Sequence, residues 1–142
     1  MKKLTLILVI VLFSTLTFAQ KLKKKDVPAE IKSAFQKQFP AAKRVKWTKE
    51  DSNFEAGFDQ NDTEHSALFD AQGSLLATAF AIEATQLPSS VLEYLSTKYA
   101  GQRITEVSKI TDAKGTINYE VKIKDTDLIF DGEGKFIKEV KD

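Results

Sequence analysis

His65 is the only histidine in the chain, and there is no cysteine. These two facts restrict the chemistry before any fold is considered. A transition-metal site built from several imidazoles or thiolates cannot form, and thiol nucleophiles and disulfides are excluded. His65 could in principle serve a serine as general base, but no serine sits in a nucleophile-elbow or similar motif. His65 is therefore read as a surface strand residue. Asp125, Asp127, Asp131 and Glu133 cluster around Gly132 and Gly134. Oxygen ligands of this kind suit calcium, but the spacing of a calcium loop is missing. A solvated hairpin is the expected reading. Paired carboxylates are so frequent that a glycosidase-like separation carries no signal. Asn61-Asp62-Thr63 matches a glycosylation acceptor, which matters only in a eukaryotic secretory route. No catalytic, cofactor-binding or metal-binding residue is assigned, and the chain is read as non-enzymatic and cofactor-free.

Stepping outward from these residues, the N-terminus has the character of an export signal. Lys2 and Lys3 precede an apolar run over residues 4–16, and Thr17-Phe18-Ala19 follows. This is the order of a secretory signal peptide over residues 1–19, cleaved near Ala19. The run is shorter than the ~20 residues of a spanning helix, so no integral membrane segment is expected in the mature chain. The expected destination is the periplasm or the medium. Residues 20–26 hold Lys21, Lys23, Lys24 and Lys25 and read as a basic N-terminal tail. Such a tail either is solvated or touches an anionic membrane surface. From Asp26 onward there are 15 basic and 20 acidic side chains. A mildly acidic body does not suggest a nucleic-acid partner.

Residues 27–142 read as a single domain made of two repeats, 27–85 and 86–142. The first opens Val27-Pro28, with Ile31, Phe35 and Phe39 at helical spacing. The second opens Leu87-Pro88, with Val91, Leu95 and Tyr99 at the same positions. Proline suits the first helical position, where its missing N–H costs nothing. Period-two alternation follows each helix and marks strands. Val45 and Trp47 alternate with Arg44, Lys46 and Thr48. Phe54, Ala56 and Phe58 alternate with Glu55, Gly57 and Asp59, and Ile117, Tyr119, Val121 and Ile123 with Asn118, Glu120, Lys122 and Lys124. Further strands are expected over 64–70, 74–82, 127–131 and 135–140. Asp70-Ala71-Gln72-Gly73 and Asp131-Gly132-Glu133-Gly134 read as type I turns. The predicted fold class is α+β: two tandem copies of a helix plus a four-stranded antiparallel sheet. Both helices would lie on one sheet face and leave the other open.

The order Pro-x-x-Ile-x-x-x-Phe-x-x-x-Phe-Pro, then Val45-x-Trp47, then Phe54-Glu55-Ala56, then Phe69-Asp70-x-x-Gly73 resembles the PepSY-like family. That family is also described as "putative β-lactamase-inhibitor-like". The resemblance covers about residues 27–140. The second copy departs from it, with Ala100 and Gly101 where Phe-Pro-Ala is expected and no counterpart of Trp47. The resemblance implies export, absence of enzymatic activity and a curved sheet able to dock a protein partner.

Two readings of function follow. In the first, the chain is an exported binding module that engages or inhibits a periplasmic or secreted protein or peptide. Its contacts would be the outward strand residues Arg44, Lys46, Glu55, Asp59, Glu120, Lys122 and Lys124. In the second, it is a structural or envelope-stress protein with no specific ligand. Charge is uneven: six basic residues and no acid lie between Glu30 and Glu50, and nine acids and no base between Lys49 and Lys98. This suits either a polarised docking surface or internal pairing of Arg44 and Lys46 with Glu55 and Asp59. Trp47 is expected in the core, with an interface anchor as the alternative.

Overall fold

The computed structural model describes residues 20–141. The expected signal peptide, residues 1–19, lies outside them. The chain divides into two compact units, one ending at Ala79 and the next beginning at Phe80. The first holds β1 (Gln20–Leu22), α1 (Ala29–Gln38), β2 (Lys43–Glu50), β3 (Asn53–Gln60) and β4 (Thr63–Phe69). β5 (Leu75–Ala81) runs across the boundary. The second holds α2 (Ser89–Lys98), β6 (Ile104–Asp112), β7 (Ile117–Ile123), β8 (Thr126–Asp131) and β9 (Phe136–Lys141).

The predicted fold class is corrected here. There are not two sheets of four strands, each under its own helix. The nine strands form one sheet in chain order from β1 to β9, and with two α-helices of ten residues each among the described residues the architecture there is mainly β. The physical reason lies in the backbone. Period-two hydrophobicity sets which face of a strand is buried, but the edge of a sheet is a row of main-chain N–H and C=O groups with no side-chain signature. Continuing the ladder satisfies those groups. The extra strand is β1, in the stretch expected to be a tail. It pairs antiparallel with β2, Leu22 opposite Trp47, and places Leu22 against the core.

In the first unit, Val27, Ile31 and Phe35 pack on Trp47, Phe54, Ala56, Phe58, Ala67 and Phe69. Phe35 is the centre. Its ring lies 5.3 Å from Trp47 and 5.1 Å from Phe58, both edge-on, an arrangement that adds to the gain from burial alone. Trp47 is 5% exposed, so it is a core residue and not an interface anchor. In the second unit, Leu87, Val91 and Leu95 pack on Val107, Val121, Ile123, Leu128 and Phe130. Each such side chain contributes roughly 1.5–3 kcal/mol on burial.

Pro28 and Pro88 stand one residue ahead of their helices, in extended conformation, rather than at the first helical position. Their carbonyls accept the first helical N–H groups, from Ile31 and Lys32 and from Val91 and Leu92. α1 stops where Pro40 lacks an N–H, and α2 stops before Gly101, whose φ is +75°. Asp70 and Asp131 each accept two backbone N–H bonds through Oδ1 across their turns, at 2.9 Å. Asp112 does the same for Lys114 and Thr116, a turn the sequence reading did not single out. Among the described residues no helix is long and apolar enough to cross a membrane.

Candidate functional site

The strand alternation that fills the cores defines, within each unit, the sheet face turned away from its helix. In the first unit, Phe54, Ala56 and Phe58 point under α1, so Glu55, Gly57 and Asp59 occupy the other face. Pairing brings them opposite Leu68, Ser66 and Glu64 of β4. On the β2 side, Thr48 stands opposite Glu55 and Lys46 opposite Gly57. A bulge between Lys43 and Lys46 puts Arg44 in the left-handed region, φ +53°, and its guanidinium pairs with Asp59. In the second unit, Val121 and Ile123 point under α2, which turns Glu120 and Lys122 to the other face. Glu120 lies between Ser108 of β6 and Ile129 of β8, and Lys122 between Glu106 and Asp127.

The expected face is thus partly assembled. Glu55 and Glu120 are not solvated: they are 8% and 6% exposed. Arg44 and Lys46 are exposed, and the expected pairing of Arg44 with Asp59 forms an ion pair. Lys122 Nζ lies 4.0 Å from Asp127 Oδ1. Lys124 does not belong to the face; it sits in the turn between β7 and β8 with φ +56°.

Several residues on this face escaped the sequence reading. Asp127, counted there with a solvated acidic hairpin, is 1% exposed. Ser66, Leu68, Ser108, Ile110 and Ile129 are also buried. The phase of β8 held the signal: Leu128 and Phe130 are core, so Asp127 and Ile129 must face the other way. The remaining acids of that hairpin have separate roles. Asp131 binds backbone N–H groups, and Asp125 and Glu133 are exposed. Among the described residues no group of three or more His, Asp or Glu side chains is placed to hold a metal ion.

Three groups on β2–β4 have shifted ionisation. Glu64 stands directly opposite Asp59. Burial, then repulsion from Asp59, raise its pKa, and Lys46 opposes the rise. Glu50 is likewise raised by burial and by Asp51. His65 stacks on Phe58 at 5.5 Å between ring centroids. Burial lowers its pKa, against the raising effects of a Gln60 backbone hydrogen bond and of Asp59. It belongs to the rim of the core.

Chemically, the carboxylates of Glu55, Glu120 and Asp127 and the hydroxyls of Ser66 and Ser108 lie below the surface of these faces, and the groups open to a partner are the exposed Arg44 and Lys46 and the half-buried Asp59 and Lys122.

Comparison with known proteins agrees with the fold. A putative periplasmic protein of Bacteroides eggerthii superposes with a TM-score of 0.74 at 12% identity, over 81% of this chain and 88% of that one. A DUF2874 family protein of Bacteroides uniformis gives 0.68 at 21% identity, over 81% and 89%. A BLIP-like protein of Bacteroides fragilis gives 0.65 at 22% identity, over 80% and 85%. At these identities the likeness concerns the fold. No curated protein matches the chain. The family model described as "Putative beta-lactamase-inhibitor-like, PepSY-like" matches residues 17–77 and 55–138. The chain belongs to this PepSY-like, beta-lactamase-inhibitor-like family.

Proposed function

We propose that this protein is an exported, non-enzymatic binding module that engages a protein or peptide through the sheet faces turned away from its helices. The observation that carries the reading is the exposure of Arg44 and Lys46 on the face of the first unit that α1 does not cover. Asp127 is 1% exposed and Glu120 6%, so those carboxylates lie below the surface that a partner would touch. The groups open to one are Arg44 and Lys46 and the half-buried Asp59 and Lys122, and charges so placed can set a partner's register and specificity. Export follows from the N-terminal signal, with cleavage near Ala19, and the periplasm is the proposed destination. Relatives of this fold described as periplasmic support that reading. Inhibition of a hydrolase is a finer version that rests on the family's description, and fold by itself does not carry function.

The test is affinity capture from the native envelope followed by measured affinities. The native protein is compared with an Arg44→Gln/Lys46→Gln/Lys122→Gln variant whose melting temperature is checked first. A partner that binds the native chain and loses at least tenfold in affinity for a folded variant supports the reading. Equal binding by both proteins refutes it.

A further inference from the structure

We propose that the β1–β2 edge of the first unit is a docking surface for anionic lipid headgroups. This goes beyond the sheet-face reading and does not depend on it.

The first observation is that the basic stretch is built into the fold. Leu22 pairs with Trp47 and packs on the core. A 3-10 turn over Lys24–Asp26 follows, closed by bonds from Asp26 N–H to the Lys23 carbonyl and from Val27 N–H to the Lys24 carbonyl. Val27 is then buried at 3% exposure. Lys23, Lys24 and Lys25 are therefore held between two apolar anchors, and Lys21 is held in β1 beside the first of them. All four are exposed.

The second observation is register. Lys21 stands opposite Thr48, two residues from Lys46 on the same face of β2. Lys46 is also exposed. The two strands thus bring lysines far apart in sequence to one edge. Asp26 is the one acid among residues 20–29.

The third observation is that these lysines form no close ion pair, although Lys46 does act on Glu64 at longer range. Among the described residues, none of these five lysines has a carboxylate within ion-pair distance; the basic side chain of this unit that does is Arg44, with Asp59. Like charges collected on a sheet edge repel one another, so the arrangement favours an external anion. The chemistry of the cations indicates which kind. Lysine is a compact, freely rotating point charge, whereas paired recognition of one carboxylate or phosphate favours the arginine fork. Lysines alone suit a dense, laterally mobile layer of negative charge, as at a membrane surface. Each lysine near such a surface contributes about fivefold in partitioning, and four contribute several hundredfold.

The experiment is flotation of the purified mature chain, residues 20–142, with lipid vesicles. One set contains phosphatidylcholine alone and the other 40% phosphatidylglycerol by the experimenter's choice (about two-fifths anionic lipid, enough to create a strong surface potential). The test variant combines Lys21→Gln, Lys23→Gln, Lys24→Gln and Lys25→Gln. The control combines Lys98→Gln, Lys114→Gln, Lys135→Gln and Lys141→Gln, which are exposed positions of the second unit. The expected result is binding to the anionic vesicles that disappears as salt shortens the screening length from about 10 Å to about 3 Å. The test variant should lose several hundredfold in partitioning, and the control should stay within about a few-fold of the native chain. Absence of binding to anionic vesicles overturns the proposal. So does equal loss in both variants, which would indicate net charge alone. Equal binding to phosphatidylcholine vesicles would show that anionic headgroups are not what is recognised and also overturn it. Preferential capture by soluble polyglutamate at matched charge would replace the lipid with an acidic polypeptide.

Discussion

Gly134 can be tested more sharply than any other position because Gly73 supplies an internal comparison. Both end an Asp-initiated turn with positive φ, +87° and +85°. An alanine in this region costs about 1–2 kcal/mol in backbone strain. The surroundings differ. A β-carbon on Gly73 would meet the Glu30 carbonyl oxygen at 3.6 Å and Ala34 Cβ at 4.0 Å, ordinary contact distances. On Gly134 it would fall 2.1 Å from Ser90 Oγ, 3.0 Å from Pro88 Cβ and 3.2 Å from Val91 Cγ2. Ser90 can rotate away only by giving up its hydrogen bonds to the carbonyls of Glu133 and Gly134, about 0.5–1.5 kcal/mol. Pro88 cannot rotate, and overpacking of this kind costs about 1–3 kcal/mol. Gly134→Ala should therefore destabilise by about 3–5 kcal/mol, and Gly73→Ala by about 1–2 kcal/mol. Urea unfolding followed by far-ultraviolet circular dichroism, with linear extrapolation, measures both. The Ser90→Ala/Gly134→Ala double variant should be more stable than the sum of its single effects by about 1 kcal/mol, because the shortest overlap is gone. Gly134→Ala no more costly than Gly73→Ala, or strict additivity with Ser90→Ala, would refute the argument.

Other outcomes follow from the same packing and electrostatics. Trp47→Ala should cost about 3–5 kcal/mol in urea unfolding, since its ring is buried against Phe35; unchanged stability would contradict its place in the core. Glu64→Gln should raise stability near neutral pH by a few tenths of a kcal/mol, toward the lower end for cross-strand like charges because Lys46 offsets part of the repulsion. The folded chain raises the Glu64 pKa, so its unfavourable effect is absent below its unfolded value and appears as pH rises. The gain from Glu64→Gln should therefore vanish in acid unfolding series near pH 3, and persistence there would exclude charge repulsion as the cause. His65 has the opposite sign: its folded pKa is lowered, so its contribution is present above the unfolded value of about 6.5 and is lost as pH falls below it. His65→Gln should flatten the pH dependence of the urea midpoint just below pH 6.5, and an unaltered slope would show that His65 does not titrate as the packing requires.

Helices and strand faces were legible in the sequence because they rest on spacing. Ile31 and Phe35 at i and i+4 can meet a sheet only from one side of a helix, and Phe54, Ala56 and Phe58 can share a face only in a strand. The turns at Asp70 and Asp131 were legible for a local reason, since an aspartate side chain caps N–H groups two and four residues on. Two features did not yield. Lysines 21, 23, 24 and 25 concealed β1, because charge patterning describes solvation and says nothing about a main-chain ladder; only Leu22, one apolar residue among them, marked the pairing. The sheet face away from the helices was expected to be open and polar. Glu55, Glu120 and Asp127 have the polarity expected of that face, but not the exposure.

The sequence alone therefore determined local matters: which segments are helices and which helix face is buried, which side chains point together along a strand, and which chemistry is impossible without cysteine or a second histidine. These depend on neighbours within a few residues. Tertiary structure decided how many strands share one sheet, that Arg44 rather than Lys46 forms the ion pair with Asp59, and how deeply Asp127 is buried. Each of those depends on which backbone edge comes next in space and on what surrounds a side chain from other strands, and such contacts between distant residues leave no periodic mark along the chain.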